Sequence, residues 1–475
     1  MAMAMTLSFP DMETVVSWLQ QTWIFHNFPY GGNAIIRKPR YLWVLPPWLS
    51  TMIYHGTSSS SRVVGIGLIP LDVGFWASTF VLLLIQTWMN VMVAMLTFRY
   101  IVQQPTASTR YLLCYGILIP IFVSLPPMLY SVINFDNVAL MLCLCGAIPV
   151  LMTLRVLQAT HEQLPAYAAQ NMTNLMLYFA SPLQIQFDSM TQHPVLLTRT
   201  MAWTKFKAFV LVFVQTSFLY SLLLPNNYRV CTPQPISLYT LWNLYNVRNL
   251  VNGFLMASLT SLVLDGGASG LGLIMSLLSG LAMEDFSRSP LSQSTSPSDF
   301  WSYRWDRPVQ DAIRRGCFQP LKTVAKMTPL GAAWTTFWIS GLLHEYIMWI
   351  MSFRQPTLPH QPPYQPYVGS QWAFFIWNGI VLLLERWLMK QKKEMTTTKK
   401  DTKTSQQPLS VVFWLLDTIQ QYLPQSCQTA LVLLTVLPVA HWFTNEYIRS
   451  GFYSDAAWGF PLFVLVMENN DNKPL

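Results

Sequence analysis

The chain predicts an all-α, polytopic integral membrane fold, with about eight or nine transmembrane helices, and three observations predict it. Of 475 residues, 52% are hydrophobic and only 11% charged, against about 25% charged in a soluble domain. The apolar residues gather into runs that approach the roughly 20 residues a helix needs to cross a bilayer. The positive residues behind the net charge of +8 concentrate in two stretches flanking such runs, which is the pattern of cytoplasmic loops rather than of a nucleic-acid surface. The lipid bilayer is therefore an expected partner and nucleic acid is not; the expected location is the endoplasmic reticulum, as a multi-pass integral membrane protein.

From the amino terminus, Met1 to Trp23 lacks a basic region followed by an apolar run, so no signal peptide is expected and the first span directs insertion. Apolar runs follow at Phe75–Phe98, Tyr111–Ile133, Val138–Leu154, Phe209–Leu224, Leu250–Leu264, Leu271–Met283, Leu330–Phe353, Trp372–Leu388, Val411–Leu423, Ala430–Phe443 and Trp458–Val466. Several are too short to cross alone and are expected to be interfacial or re-entrant, which is tolerated where protein or water satisfies the backbone. The polar stretch Arg155–Lys207 is expected in the cytosol, so its sequon Asn171-Met172-Thr173 should carry no glycan. That placement requires an odd number of crossings between Leu241 and Met283, with Asp265-Gly266-Gly267 as a possible break between two re-entrant arms.

Residues 1–475 thus form one polytopic domain with two basic cytosolic loops, at 284–327 and 390–408. The first carries Arg288, Arg304, Arg307, Arg314, Arg315, Lys322 and Lys326, and the second Lys390, Lys392, Lys393, Lys399, Lys400 and Lys403 in a Thr/Lys-rich, flexible segment. Two spans separate them, which puts the Pro-rich turn Gln355–Tyr367 in the lumen. The six cysteines are scattered, Cys143 and Cys145 sharing an apolar run, and no CxxC pair points to zinc or redox chemistry. No bound cofactor is expected.

Within Leu330–Phe353 the only charged or titratable residues besides tyrosine are His344 and Glu345. An ionisable residue at bilayer depth costs roughly 2.5–3.5 kcal/mol, so such residues mark functional sites unless they link helices. On a helix, Phe337, Ser340, Gly341, Ile347, Met348 and Met351 share the face of His344, whereas Glu345 points about 100° away. Ser340 and Gly341 leave space beside the imidazole for a tunnel, or equally permit close helix packing. Glu345 is expected to brace a neighbouring helix or a loop arginine, at the edge of the substrate site. Apolar surroundings disfavour imidazolium, so His344 is expected to be a neutral general base.

Upstream, Asp299 to Leu321 is unusually dense in Trp, Arg and Asp. Arginine forks suit phosphates and tryptophan faces suit an adenine ring or a pantetheine arm, although Arg314, Arg315 and Lys322 equally fit an ordinary positive-inside loop. Trp301, Arg304, Trp305 and Asp306 cluster just before a helix that Pro308 opens.

The two motifs, Phe300-Trp301-Ser302-Tyr303-Arg304-Trp305 and Ser340-Gly341-Leu342-Leu343-His344-Glu345, resemble the membrane-bound O-acyltransferase superfamily. Their order and spacing are similar to its wax-synthase-like branch, which includes fungal acetyltransferases of terpenoid and mycotoxin pathways. The resemblance implies an acyl-CoA-dependent O-acyltransferase with His344 as base. It implies Trp301, Arg304, Trp305, Ser340, Gly341 and Glu345 around CoA and substrate, and direct transfer without an acyl-enzyme. The expected donor is acetyl-CoA and the expected acceptor a hydroxyl of an apolar terpenoid or meroterpenoid intermediate; the alternative within the branch is a long-chain acyl-CoA and a fatty alcohol. Two positions depart from the pattern: Ser302-Tyr303 stands where the family usually has Gly-Arg, and Asp306 where it has Asn or His. A carboxylate at 306 would orient the acceptor hydroxyl or accept from a neighbouring donor, which makes Asp306 a second catalytic candidate. No nucleophile motif such as GxSxG is present.

A zinc protease would need His-Glu-x-x-His, but Met348 occupies the second histidine position. His441 lies before Trp442-Phe443 at a span end and fits an interfacial place; His26, His55, His161, His193 and His360 are expected in solvated loops. A proton-coupled transporter is the non-enzyme alternative, and would require inverted repeats with matching broken spans.

Overall fold

A computed structural model of the chain describes residues 41–43, 61–132, 142, 148–188, 190, 193–224, 228, 230–231, 244–353, 363–398 and 422–469. These residues are mostly helical, and six helices are long and apolar enough to cross a membrane. They are α1 (Val73–Val102), α2 (Ala107–Pro126), α5 (Arg199–Leu223), α6 (Val247–Ser279), α9 (Ser370–Lys392) and α10 (Gln425–Arg449). Between them lie α3 (Ile148–Thr160), α4 (Met172–Ala180), α7 (Arg307–Ile313) and α8 (Pro329–Met351). The described residues thus hold fewer such helices than the about eight or nine expected. Most of the run Val411–Leu423, most of Cys143 and Cys145's run, and His26, His55 and His360 lie outside the described residues.

The arrangement of polarity on α1 is that of a lipid-facing helix. Asp72 starts it by accepting the N–H groups of Gly74 (2.7 Å) and Phe75 (3.3 Å). Its exposed side chains include Phe80 (49%), Leu84 (52%) and Trp88 (65%), whereas Gln86 (5%), Asn90 (2%) and Thr97 (0%) are buried. A soluble helix buries its apolar face; here the polar face turns inward, where Gln86 donates to Asn90 (2.9 Å) and hydrocarbon can cover the outside.

Several expectations change. The run Trp458–Val466 is not a span: Leu462–Asn469 is a strand, β3, antiparallel to β2 (Ser61–Ile69), which in turn pairs with β1 (Tyr41–Trp43). Eight residues of helix would rise only about 12 Å, whereas as a strand they satisfy their backbone on a partner. Asp265-Gly266-Gly267 does not break the chain. α6 runs unbroken through it, capped by Asn246 and closed by the left-handed Gly280 (φ 70°), because the Asp265 carboxylate accepts from Ser287 Oγ (3.0 Å) and Ser261 Oγ (3.4 Å).

Arg155 is not a solvated cytosolic charge. It is 1% exposed, and its guanidinium donates to the carbonyls of Tyr178 (2.6 Å), Ser181 (2.7 Å) and Pro182 (3.1 Å). These are the carbonyls that the end of α4 leaves without intrahelical donors, so the arginine closes that helix. Nor does the segment from Lys390 begin as a loop, since the helix that starts at Ser370 continues to Thr398; Gln, Lys, Glu and Met are good helix formers.

Candidate active site

α8 begins at Thr328, whose hydroxyl accepts the Gly331 N–H (3.2 Å), with Pro329 in its first turn. Its 23 residues are long enough to cross a bilayer, although it is not among the six helices named above. It pairs with α9 along a seam of two glycines. A Cβ at Gly341 would lie 2.9 Å from the Trp372 backbone Cα and its Cδ1, and one at Gly379 would lie 3.2 Å from Phe337. Gly341 therefore does not open space beside the imidazole; it lets the two helices approach. Glu345 locks the same seam by accepting the Trp372 N–H (3.0 Å), one of the donors that the start of α9 leaves free.

That seam sets His344 against aromatic rings. Phe375, one turn beyond Trp372, stacks on the imidazole with centroids 4.6 Å apart and planes 24° apart. Phe443 of α10 meets it edge-on at 5.3 Å. Tyr447, one turn further along α10, places its hydroxyl 3.4 Å from His344 Nδ1. His344 itself is half-buried, as are Phe337 and Ser340, and the imidazole sits inside the helix bundle. Ser340 forms no hydrogen bond among the described residues.

The Trp/Arg loop is not a free surface loop. Its start is tied to α9, where the Ser298 N–H and hydroxyl both donate to Glu385 (2.8 Å each). Trp301 Nε1–H then donates to Asn378 Oδ1 (3.2 Å). Glu385 and Asn378 are two turns apart, so the loop advances about 10 Å along α9 between these anchors. The Trp301 ring then packs on Phe337 (6.3 Å), Phe374 (6.0 Å) and Phe375 (6.3 Å). Phe375 therefore touches both Trp301 and His344, and the two motifs meet through it. A π-helical turn, Phe300–Arg304, aims Trp301 inward, a local geometry that recurs at functional sites. Trp305 stacks on Phe300 (5.6 Å, 14°) and packs against the cluster that joins Phe300 to Val432, Leu433, Leu437 and Ala440 of α10.

Arg304 and Asp306 both make their hydrogen bonds within the loop and its flanks. Arg304 Nε donates to Asp299 (2.6 Å) and Nη1 to the Arg288 carbonyl (3.0 Å) and Gln293 (3.1 Å); it shapes the loop from within. Asp306 adopts a left-handed conformation (φ 42°) and caps α7 by accepting the Val309 N–H (3.3 Å). Among the described residues it makes no hydrogen bond to His344. Burial, with Asp265 nearby adding to it, pushes the Asp306 carboxyl up to about 7 despite the Val309 N–H. His161 also departs from the solvated expectation: its Nε2 lies 2.7 Å from the Tyr115 hydroxyl, at the end of α3.

Sequence reasoning did not reach Tyr447, Phe375, Phe443 or Asn378. The available signal was the four-residue spacing of Phe443 and Tyr447, which places both on one helical face; nothing local connects that face to His344.

Residues 285–381, from Asp285 through the loop and α8 into α9, match the model of the membrane bound O-acyl transferase family. Among curated proteins, the chain is 26% identical over 156 residues to a probable long-chain-alcohol O-fatty-acyltransferase 8 of Arabidopsis thaliana, covering 31% of this chain and 43% of that protein. It is 31% identical over 129 residues to the probable long-chain-alcohol O-fatty-acyltransferase 2 of the same plant, covering 25% and 34%. It is also 27% identical over 137 residues to its acyl-CoA–sterol O-acyltransferase 1, covering 28% and 36%. Each aligned stretch spans less than half of the relative's length. The family match takes in Trp301, His344, Phe375 and Asn378 but ends well before Phe443 and Tyr447.

Proposed function

We propose that this protein is an acyl-CoA-dependent O-acyltransferase of the endoplasmic reticulum membrane, with His344 as general base. The observation that carries the proposal is the contact of both His344 and Trp301 with one ring, Phe375, which joins the two motifs in a single aromatic cluster. His344 takes the proton of an alcohol as its oxygen attacks the thioester carbonyl of acyl-CoA. The C–O bond forms, the C–S bond breaks, and the same proton passes from His344 to the departing CoA sulfur. The products are an ester and free CoA, and the histidine is regenerated. Such positioned proton transfer contributes typically about 10²–10⁴-fold.

A reaction centre at bilayer depth suits substrates of opposite polarity. An apolar alcohol arrives through lipid, whereas CoA is confined to water and meets the protein at the loop that carries Trp301, Arg304 and Trp305. Arg304 serves CoA indirectly, by holding that loop against α9. Acetyl-CoA and a terpenoid or meroterpenoid hydroxyl are the substrates we favour, from the resemblance to fungal acetyltransferases. A long-chain acyl-CoA with a fatty alcohol or a polycyclic alcohol is the second choice, favoured by the names of the plant relatives.

The test is expression in microsomes supplied with acetyl-CoA or palmitoyl-CoA and a panel of terpenoid, sterol and fatty alcohols, beside His344→Ala. Ester formation from acetyl-CoA alone supports the first pairing, and from palmitoyl-CoA alone the second. Full activity of His344→Ala overturns the base. Consumption of neither donor, with movement of a solute across the vesicle membrane, supports a transporter instead.

A further inference from the structure

We infer that the Tyr447 hydroxyl is the positioning partner of the catalytic imidazole, holding His344 in the one tautomer that leaves its Nε2 lone pair directed at the substrate. The inference rests on His344 as the base, as proposed above, and adds a residue from a part of the chain beyond the family match.

A neutral imidazole carries its proton on one nitrogen, and the hydrogen bond made by the other nitrogen decides which is free to act. In serine hydrolases a carboxylate does this for the histidine. Here the adjacent carboxylate is unsuitable, because Glu345 points to another side of α8 and accepts the Trp372 N–H. The described residues bring one polar group to the ring, the Tyr447 hydroxyl, 3.4 Å from Nδ1. That separation is long for a hydrogen bond, as catalytic hydrogen bonds often are before substrate binds and draws them in.

The chemistry sets the direction of the bond. His344 must accept the alcohol proton at Nε2, so Nδ1 carries the hydrogen and donates it to the phenol oxygen of Tyr447. When the alcohol proton arrives, the imidazolium is formed with both nitrogens as donors. Tyr447 then still accepts from Nδ1, and the proton on Nε2 faces the departing sulfur. No proton has to move through Tyr447.

The surroundings hold the tyrosine in place. Tyr447 is 7% exposed, and its ring is flanked by Phe443 (5.0 Å), Phe452 (5.4 Å) and Tyr453 (6.3 Å). The preceding residue, Glu446, is 1% exposed and accepts from the Tyr364 hydroxyl (2.8 Å), the Tyr367 N–H (3.1 Å) and Arg449 (2.7 Å). This turn of α10 is therefore pinned to the segment that joins α8 to α9. A phenol has weaker demands than a carboxylate in such a place: it satisfies Nδ1–H without bringing a charge to bilayer depth.

Tyr447→Phe deletes the oxygen and keeps the ring. Tyr453→Phe is the control, since it removes an equally buried hydroxyl from the same aromatic group; that hydroxyl bonds Thr260 (2.6 Å), which also donates to the Met256 carbonyl. The expected result is a kcat reduced about 10- to 100-fold in Tyr447→Phe, with KM for acyl-CoA and alcohol within about twofold of wild type. Tyr453→Phe should keep kcat within about threefold. Wild-type kcat in Tyr447→Phe, an equal fall in both variants, or failure to recover Tyr447→Phe as folded protein would each assign the hydroxyl to the core and overturn the inference. His344→Ala, measured alongside, separates the two proposals: activity there removes the base itself, whereas an inactive His344→Ala with a fully active Tyr447→Phe removes only its partner.

Discussion

His344 and Arg304 are both ionisable residues in otherwise apolar or aromatic surroundings, yet the protein treats them in opposite ways. Arg304 is engaged through Nε and Nη1, by Asp299, the Arg288 carbonyl and Gln293. His344 is surrounded by the rings of Phe375 and Phe443 and, among the described residues, meets a polar side chain at Nδ1 alone. A guanidinium whose Nε and Nη1 are taken up organises its neighbours, whereas an imidazole with a single polar contact has hydrogen-bonding capacity left over. The contrast separates shape from chemistry: the loop is built so that Trp301 reaches Phe375, and the reactive capacity stays on α8.

The largest effect should come from removing that capacity. His344→Ala is expected to lower turnover by about 10²–10⁴-fold, with folding intact, as read by ester formation and by elution of the detergent-solubilised protein as a single species. Near-wild-type turnover would erase the contrast. Gly341→Ala tests whether the seam places the histidine. Its Cβ would meet the Trp372 backbone at 2.9 Å, so the helices must separate at a cost of about 1–3 kcal/mol, seen as a lower thermal midpoint together with lower kcat.

Arg304→Lys keeps the charge but not the fork. It should destabilise by about 1–2 kcal/mol, raise KM for acyl-CoA and make the loop easier to cut in limited proteolysis. An unchanged cleavage rate would show that the loop holds its shape without Arg304. Asp306→Asn should have the smallest effect on turnover, because asparagine also caps helices and tolerates left-handed backbone. Its stability effect depends on pH. The Asp306 carboxyl lies near 7 in the folded protein and near 4 when unfolded. Between these values the folded state holds a proton that the unfolded state does not, so stability falls as pH rises towards 7. Asp306→Asn should therefore stabilise most above pH 7 and progressively less down to about pH 4. A large loss of turnover instead would return Asp306 to the catalytic group.

Much of the fold was legible because its signals are local. The apolar runs at Phe75–Phe98, Phe209–Leu224 and Trp372–Leu388 all fall within helices, and Thr328-Pro329 marks the start of α8. The loop motif and the histidine could also be singled out from neighbouring residues alone. Where legibility failed, two outcomes shared one local pattern. Leu462–Asn469 is apolar enough for an interfacial helix, and only β2 makes it a strand. Asp265-Gly266-Gly267 has the composition of a break, and Ser287, more than twenty residues on, lets the helix pass through it.

The sequence by itself determined that the chain belongs in a bilayer, that a loop rich in Trp and Arg precedes the His344 helix, and that His344 stands out on it. Hydropathy and helix capping depend on residues within a few turns of one another, so both are written locally. Only the tertiary structure decided that Arg155 and Arg304 serve the scaffold, that Gly341 is a contact rather than a space, and that Tyr447 faces the imidazole across 103 residues of chain. A side chain's hydrogen-bonding capacity is a property of its type, but whether that capacity is filled depends on which distant elements pack against it.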